Sequence, residues 1–223
     1  MSKNVAGILG NQYGKIGPVV ARKFREENVY SKYQPNVSNP NTEDQQTHRA
    51  RFKSLSELSH AFACGARMGF VAAVKGTNMS PRNMFQKLNF PNVTASGPDS
   101  VVIDYTAIQV AKGGLSPVAF QAPQFDTPNT VEIDWEGEGA PCQTTANDKV
   151  YIVVHCPDAK ATVVSQPIAR GMDSASVSVP SYWNGMKVHV YGFVRNDGPV
   201  NTEFGIPTGE CSDSSYCGTG TIG

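Results

Sequence analysis

The stretch Thr42–Lys75, TEDQQTHRARFKSLSELSHAFACGARMGFVAAVK, divides the chain into a segment of a different character on each side. Its apolar residues Phe52, Leu55, Leu58, Phe62, Ala66, Phe70 and Ala73 recur in steps of three and four, which lines one face of a helix. Thr42 followed three residues later by Gln45 reads as a capping box, Glu43 and Asp44 suit the positive end of the helix dipole, and Gly76 supplies a stop. The spacing therefore predicts one long helix over 42–75. Its many small residues (Ala61, Ala63, Cys64, Gly65, Gly69, Ala72) predict a second face that admits close approach by another element. Ser80-Pro81 then opens a short helix through RNMFQKLNF, with Met84, Phe85 and Leu88 as core anchors.

Upstream, residues 1–41 read as an extended, Gly-rich arm with Gly7, Gly10, Gly14 and Gly17 and a rigid Pro35–Pro40 connector; Val19–Tyr33 has room for one or two short strands. Fully extended, such a segment spans about 130 Å, against a radius of gyration of about 17 Å for a compact chain of this length. It must fold back or reach a neighbour, and so much glycine needs contacts beyond itself. GNQYGKI is not a phosphate-binding loop: Gly10 and Gly14 are one residue too close, and Ile16 stands where a hydroxyl is needed.

Downstream of Ser100 the hydrophobic period changes to two. VVIDYTAIQV reads as a strand before a Gly113-Gly114 break, and TVEIDWEGE, DKVYIVVHCP, ATVVSQPIA, SASVSVP and MKVHVYGFVR follow at roughly ten-residue intervals, separated by turn residues. Two sheets packed face to face, in an immunoglobulin or fibronectin type III manner, accommodate that pattern, with Trp135, Tyr191 and Phe193 in the core. The expected architecture is thus mainly β. It comprises an arm over 1–41, a helical region with a first strand over 42–112, a sandwich over 113–206, and a flexible Gly/Ser/Cys tail over 207–223.

The net charge is zero, yet residues 1–100 carry 13 Lys/Arg against 6 Asp/Glu and residues 101–223 carry 6 against 13. This polarity points to a basic half meeting an acidic half, within one chain or between copies. The basic residues are too thinly spread, and too free of aromatic-plus-Arg repeats, to indicate nucleic acid. No apolar run reaches the ~20 residues of a membrane-spanning helix, and the N-terminus makes a poor signal peptide. Five cysteines without CxxC spacing argue against a structural zinc site; Cys211 and Cys217 flank SDSSY and are close enough in sequence to form a small bridged loop or to stay free.

No stretch names a reaction. Asp134, Glu136 and Glu138 alternate on one strand face and read first as a solvated edge, with a calcium or acid–base cluster as the sharper reading. His155 and His189 alternate with apolar residues and lack any GxSxG or Cys/His signature. No catalytic residue, metal ligand or cofactor is expected. The interaction residues singled out are Gly10, Gly14, Lys15, Arg22, Lys23, Arg25, Tyr30 and Tyr33, all on the N-terminal segment. Tyr182 and Trp183 are the aromatics of a possible glycan-reading surface among the sandwich loops.

The pieces GILG…GKIGPVV, PNVSNPNTEDQQTHRARF, VVIDYTAIQVAKGGL, VEIDW, NDKVYIVVH, IARG and SVSVPSYWNGMKVHVYGFV, in this order from about Val5 to Phe204, resemble a family widespread in Bacteroidetes genomes and their phages. Its members begin GILGGFSGKVG and carry a PT-x-x-Q-x-x-R-x-x-F stretch. Here Asn11-Gln12-Tyr13 replaces the Gly-rich turn, and Asn41 stands where Pro is common. The resemblance implies a non-enzymatic virion component. The first expectation is an auxiliary or decoration protein bound to the major capsid protein and to its own copies, as in crAss-like phages. A neck, ring or tail component, or a host-surface glycan-binding module, are the alternatives.

Overall fold

The computed structural model describes residues 13–24, 27–36, 40–136, 148–196, 200–201, 206–207 and 209–223. It divides into two compact units, 1–41 and 42–223.

In the first unit, β1 (Gly14–Ile16), β2 (Val19–Phe24) and β3 (Glu27–Lys32) form an antiparallel three-stranded sheet. Gly17, at φ 59°, makes the β1–β2 turn, a conformation glycine adopts without strain. The described part of the segment expected to be an extended arm is therefore a hairpin sheet; its backbone hydrogen-bonding groups are spent on one another, which an extended strand alone cannot do.

The second unit runs α1 (Glu43–Ala61), α2 (Ala63–Val74), α3 (Pro81–Asn89), β4 (Val93–Gly97), β5 (Ser100–Ile103), β6 (Ala119–Phe120), β7 (Thr130–Glu136), β8 (Lys149–Cys156) and β9 (Ala161–Val164). It continues through β10 (Ile168–Ala169), β11 (Ser174–Ser178), β12 (Lys187–Arg195), β13 (Val200–Asn201), β14 (Ile206–Pro207) and β15 (Ser215–Thr221). Among the described residues the chain is mainly β, with several antiparallel sheets and three α-helices.

Both N-caps form, but the reciprocal half of the capping box does not: Gln45 Oε1 has no hydrogen-bond partner among the described residues. Thr42 Oγ1 accepts from the Gln45 N–H, and Ser80 Oγ accepts from the Asn83 N–H ahead of Pro81. The long helix, however, is two. At Phe62 ψ opens to 9°, ending α1 and starting α2. The Phe62 ring is fully buried, 4.4 Å from the His155 ring, 5.5 Å from Phe85 and 5.7 Å from Tyr191. The bend places this side chain on the sheet while α2 turns to lay its small residues on the segment 108–112. A Cβ on Gly69 would overlap the Val110 carbonyl oxygen and stand 2.7 Å from Ala111 Cα, so only glycine permits this approach. Gly65 and Gly69 are thus covered by the chain itself, while Ala63 and Cys64 stay exposed.

β8 and β12 pair at the centre of a five-stranded sheet ordered β10-β8-β12-β15, with β9 also on β8. Both faces are buried, which explains their nearly unbroken apolar runs. Tyr151, Val153, Tyr191 and Phe193 face the helices and pack with Leu55, Leu58, Phe62, Phe70 and Phe85. Val150, Ile152, Val154, Val188, Val190 and Val194 face a second core with Val131, Ile133, Trp135, Ala175 and Val177. Those last five lie on the three-stranded sheet β11-β7-β6. Helices and three-stranded sheet therefore cover opposite faces of one central sheet, and 42–112 is no separate region.

Two further expectations change. Tyr105–Ala107 is a 3-10 turn, and 108–112 runs on without strand pairing. The C-terminal segment expected to be flexible supplies β15, which pairs with β12 along its length. The preceding CSDS hydrogen-bonds to the body: Ser212 Oγ accepts from Val194 N–H, Asp213 Oδ1 from Gly113 N–H, and Ser214 Oγ from Val110 N–H. Cys211 and Cys217 are both free thiols, and no bridge joins them.

Candidate functional site

Two places hold side chains that the fold leaves available. The first is the N-terminal sheet. Register aligns Gly14, Ala21 and Tyr30 across its three strands, and Lys15, Val20 and Ser31 in the next row on the other face. The Lys15 ammonium lies 3.7 Å from the centre of the Tyr33 ring, a cation–π contact. Arg22 and Lys23 are exposed and point to opposite faces. Tyr13, Ile16, Phe24, Tyr30 and Tyr33 are all exposed, Tyr13 by 63% and Phe24 by 53%. Of the eight interaction residues read from sequence, the structure thus brings Gly14 and Tyr30 into one row and Lys15 onto Tyr33. Gly10 and Arg25 lie outside the described residues.

The second place is a cleft at the end of the central sheet, where β8 ends and β12 begins. Across these strands His155 and His189 pair in register, both on the helix-facing side. Asp104 builds the third wall: its Oδ1 accepts from the Thr106 N–H and hydroxyl, at 3.0 and 2.6 Å, which fixes the turn that presents Tyr105. The Tyr191 hydroxyl ties that turn to the sheet by donating to the Tyr105 carbonyl at 2.7 Å. The Tyr105 ring stacks on His189 at 4.6 Å and lies 5.7 Å from His155.

Tyr105, Ile103 and Pro157 separate two hollows. The narrower, ≈ 120 Å³, lies over His155 and is edged by Ser54 and by the Lys160–Glu57 ion pair at 3.0 Å. The broader, ≈ 440 Å³, lies over His189, with Asp104, Thr106, Asp158 and Lys187 around it. Each imidazole spends Nδ1 on a hydroxyl at 3.0 Å, His155 on Thr162 and His189 on Tyr216. Burial pushes the His155 pKa down to about 4 and lowers that of His189, with Lys187 adding to the latter. Both shifts favour the neutral ring.

Among the described residues no carboxylate is hydrogen-bonded to either histidine, and no group of three or more His, Cys, Asp or Glu is placed to hold a metal ion. Asp134 and Glu136 do share the exposed face of β7, but β7 is an inner strand between β11 and β6, not an edge; Glu138 lies outside the described residues. Trp183 is fully buried, which removes it from any surface reading, while Tyr182 is 63% exposed. The cleft was hidden in the sequence because its parts sit on 104–106, 155–160 and 187–189. Strand register unites the two histidines, and the Tyr191 hydroxyl brings the 104–106 turn to them.

A model for a family of unknown function, DUF6266, matches residues 11–204. No curated protein matches the chain.

Proposed function

The chain belongs to that family, and from this premise we propose that it is a non-enzymatic structural protein of a phage virion. In this reading it is an auxiliary or decoration protein of the capsid, binding the major capsid protein and its own copies. The sequence resemblance described above supplies the phage association. The observation that carries the assembly role is the N-terminal unit, a three-stranded sheet that exposes Ile16, Phe24, Tyr30 and Tyr33. A three-stranded sheet needs an apolar face packed on something to be stable in water, and here apolar side chains stay exposed on both faces, Ile16 and Tyr30 on one and Phe24 on the other, which suits a partner surface.

Charge favours the same use. Residues 1–41 carry 6 Lys/Arg and 2 Asp/Glu, and residues 42–223 carry 13 and 17, so the two units bear opposite net charges of +4 and −4. The basic sheet of one copy then meets the acidic unit of the next in a heterologous contact that repeats over a shell. We take the two packed sheets of the larger unit as an immunoglobulin- or fibronectin-like sandwich that serves as the rigid body of that shell.

Mass spectrometry and image reconstruction of purified particles test this reading. The chain is expected at a copy number matched to the capsid lattice. Its absence from particles, or a purified chain that stays monomeric at every accessible concentration, would overturn it.

A further inference from the structure

We propose that the two-lobed cleft around Tyr105 is a binding site for a neutral glycan, one or two pyranose units of a larger saccharide. This goes beyond the assembly role and does not depend on it.

The first argument is the buried imidazole. His155 is 2% exposed and lines the narrower hollow. Its Nδ1 is taken by Thr162 and the ring also has a backbone partner in Ala161, so His155 floors the hollow. His189, one strand away, is the imidazole with bonding capacity to spare: Nδ1 is held by Tyr216, and no partner of Nε2 is found among the described residues. The Tyr105 hydroxyl, between the hollows, likewise has none.

The second argument is charge. Around the opening Lys160 is neutralised by Glu57, and Lys187 stands among Asp104 and Asp158. Two carboxylates oppose an anionic ligand, and Lys187 beside His189 opposes a compact cation. What is available to a ligand there is the His189 imidazole, a phenol, the Lys187 ammonium and carboxylate oxygens. Neutral imidazole and phenol both donate and accept, as a sugar hydroxyl does, and a carboxylate accepts from two neighbouring hydroxyls. Ile103 and Pro157 add apolar wall for the C–H face of a ring. The broader hollow, ≈ 440 Å³, falls within the usual size of small-molecule sites.

The test is proton NMR of the full chain, following the imidazole signals of His155 and His189, assigned by H155Q and H189Q. The probes are maltotriose and chitotriose, with sodium glucuronate and glucosamine hydrochloride as anionic and cationic controls. A neutral oligosaccharide is expected to shift both imidazole signals saturably, and Asp158→Asn to weaken that binding about tenfold by removing a charged acceptor. Asp158 is exposed on the β8–β9 turn, so the variant keeps the fold, which its unchanged amide spectrum verifies. Response to the charged probes alone, response undiminished in Asp158→Asn, or no response to any of the four would each overturn the proposal.

Discussion

His189 of β12 stands directly opposite His155 of β8, and both imidazoles are packed against Tyr105 on the helix-facing side of the central sheet. The pair makes stability depend on pH. In the unfolded chain a histidine takes up its proton near 6.5, whereas in the folded protein burial holds His155 down to about 4. Between these values the unfolded state binds more protons, so the contribution is full above pH 6.5 and is lost as pH falls toward 4. The loss approaches about 3 kcal/mol from His155, and His189 adds in the same direction. Glu57 and Asp104, lowered by Lys160 and Thr106 from 4.5 and 3.8, begin to act only at the acid end of this window. Urea unfolding at pH 7.5 and pH 5 should show the drop, and His155→Gln should flatten it; an equal slope in that variant would contradict the assignment.

Phe62 is the hinge of α1 and α2 and the meeting point of helices and sheet. Phe62→Ala is expected to cost about 3–5 kcal/mol, because the rings of Phe85, His155 and Tyr191 around it cannot collapse fully into the space. Phe52, on the same predicted apolar stripe but 51% exposed, should give a change within about 0.5 kcal/mol as Phe52→Ala. Denaturant midpoints of the two variants decide whether the stripe turns at Phe62.

Gly69→Ala should destabilise by roughly 1–3 kcal/mol, since its new Cβ meets the backbone of Val110 and Ala111, which cannot rotate away. Gly97→Ala, with nothing within 4 Å and no positive φ, is the matched control and should be near neutral. Thermal melting of the pair measures the difference.

These positions show how far the sequence could be read. The caps at Thr42 and Ser80, the core roles of Trp135, Tyr191 and Phe193, and the change of period after Ser100 all follow from local chemistry. The bend at Phe62 does not, because a single glycine, Gly65, lowers helix propensity without fixing where a helix turns; the packing of one ring against the sheet does. The C-terminal stretch misled for a related reason. Ser212, Asp213 and Ser214 have loop composition, yet each side chain satisfies a backbone N–H over 15 residues away in sequence. The cleft is the extreme case, since alternation told only that His155 and His189 lie on strands, and pairing register alone made them neighbours.

Thiol reactivity checks the C-terminal fold. Burial pushes the Cys211 thiol up to about 11 and the Cys217 thiol up to about 12, and both are free. In the native protein a thiolate-selective reagent should modify exposed Cys64 at once, while Cys156, Cys211 and Cys217 react only after denaturation. A flexible tail would instead make Cys211 and Cys217 as reactive as Cys64, and mass mapping of the labelled peptides separates the two.

The N-terminal sheet gives the sharpest test of assembly. Phe24 and Tyr30 are exposed by 53% and 51% on a unit distinct from residues 42–223, so substituting them should leave the unfolding of the larger unit unchanged. If these side chains are interface anchors, each replacement by Ser removes on the order of 2 kcal/mol of association, some thirtyfold in affinity. Arg22→Glu with Lys23→Glu should act differently: it removes the attraction toward the acidic unit, slowing association and abolishing its dependence on ionic strength. Sedimentation velocity over a concentration series at low and high salt reads both effects. Loss of association in the aromatic variants, with an unchanged melting profile, would place the contact on this sheet; association untouched by all four substitutions would move it to the body of the protein.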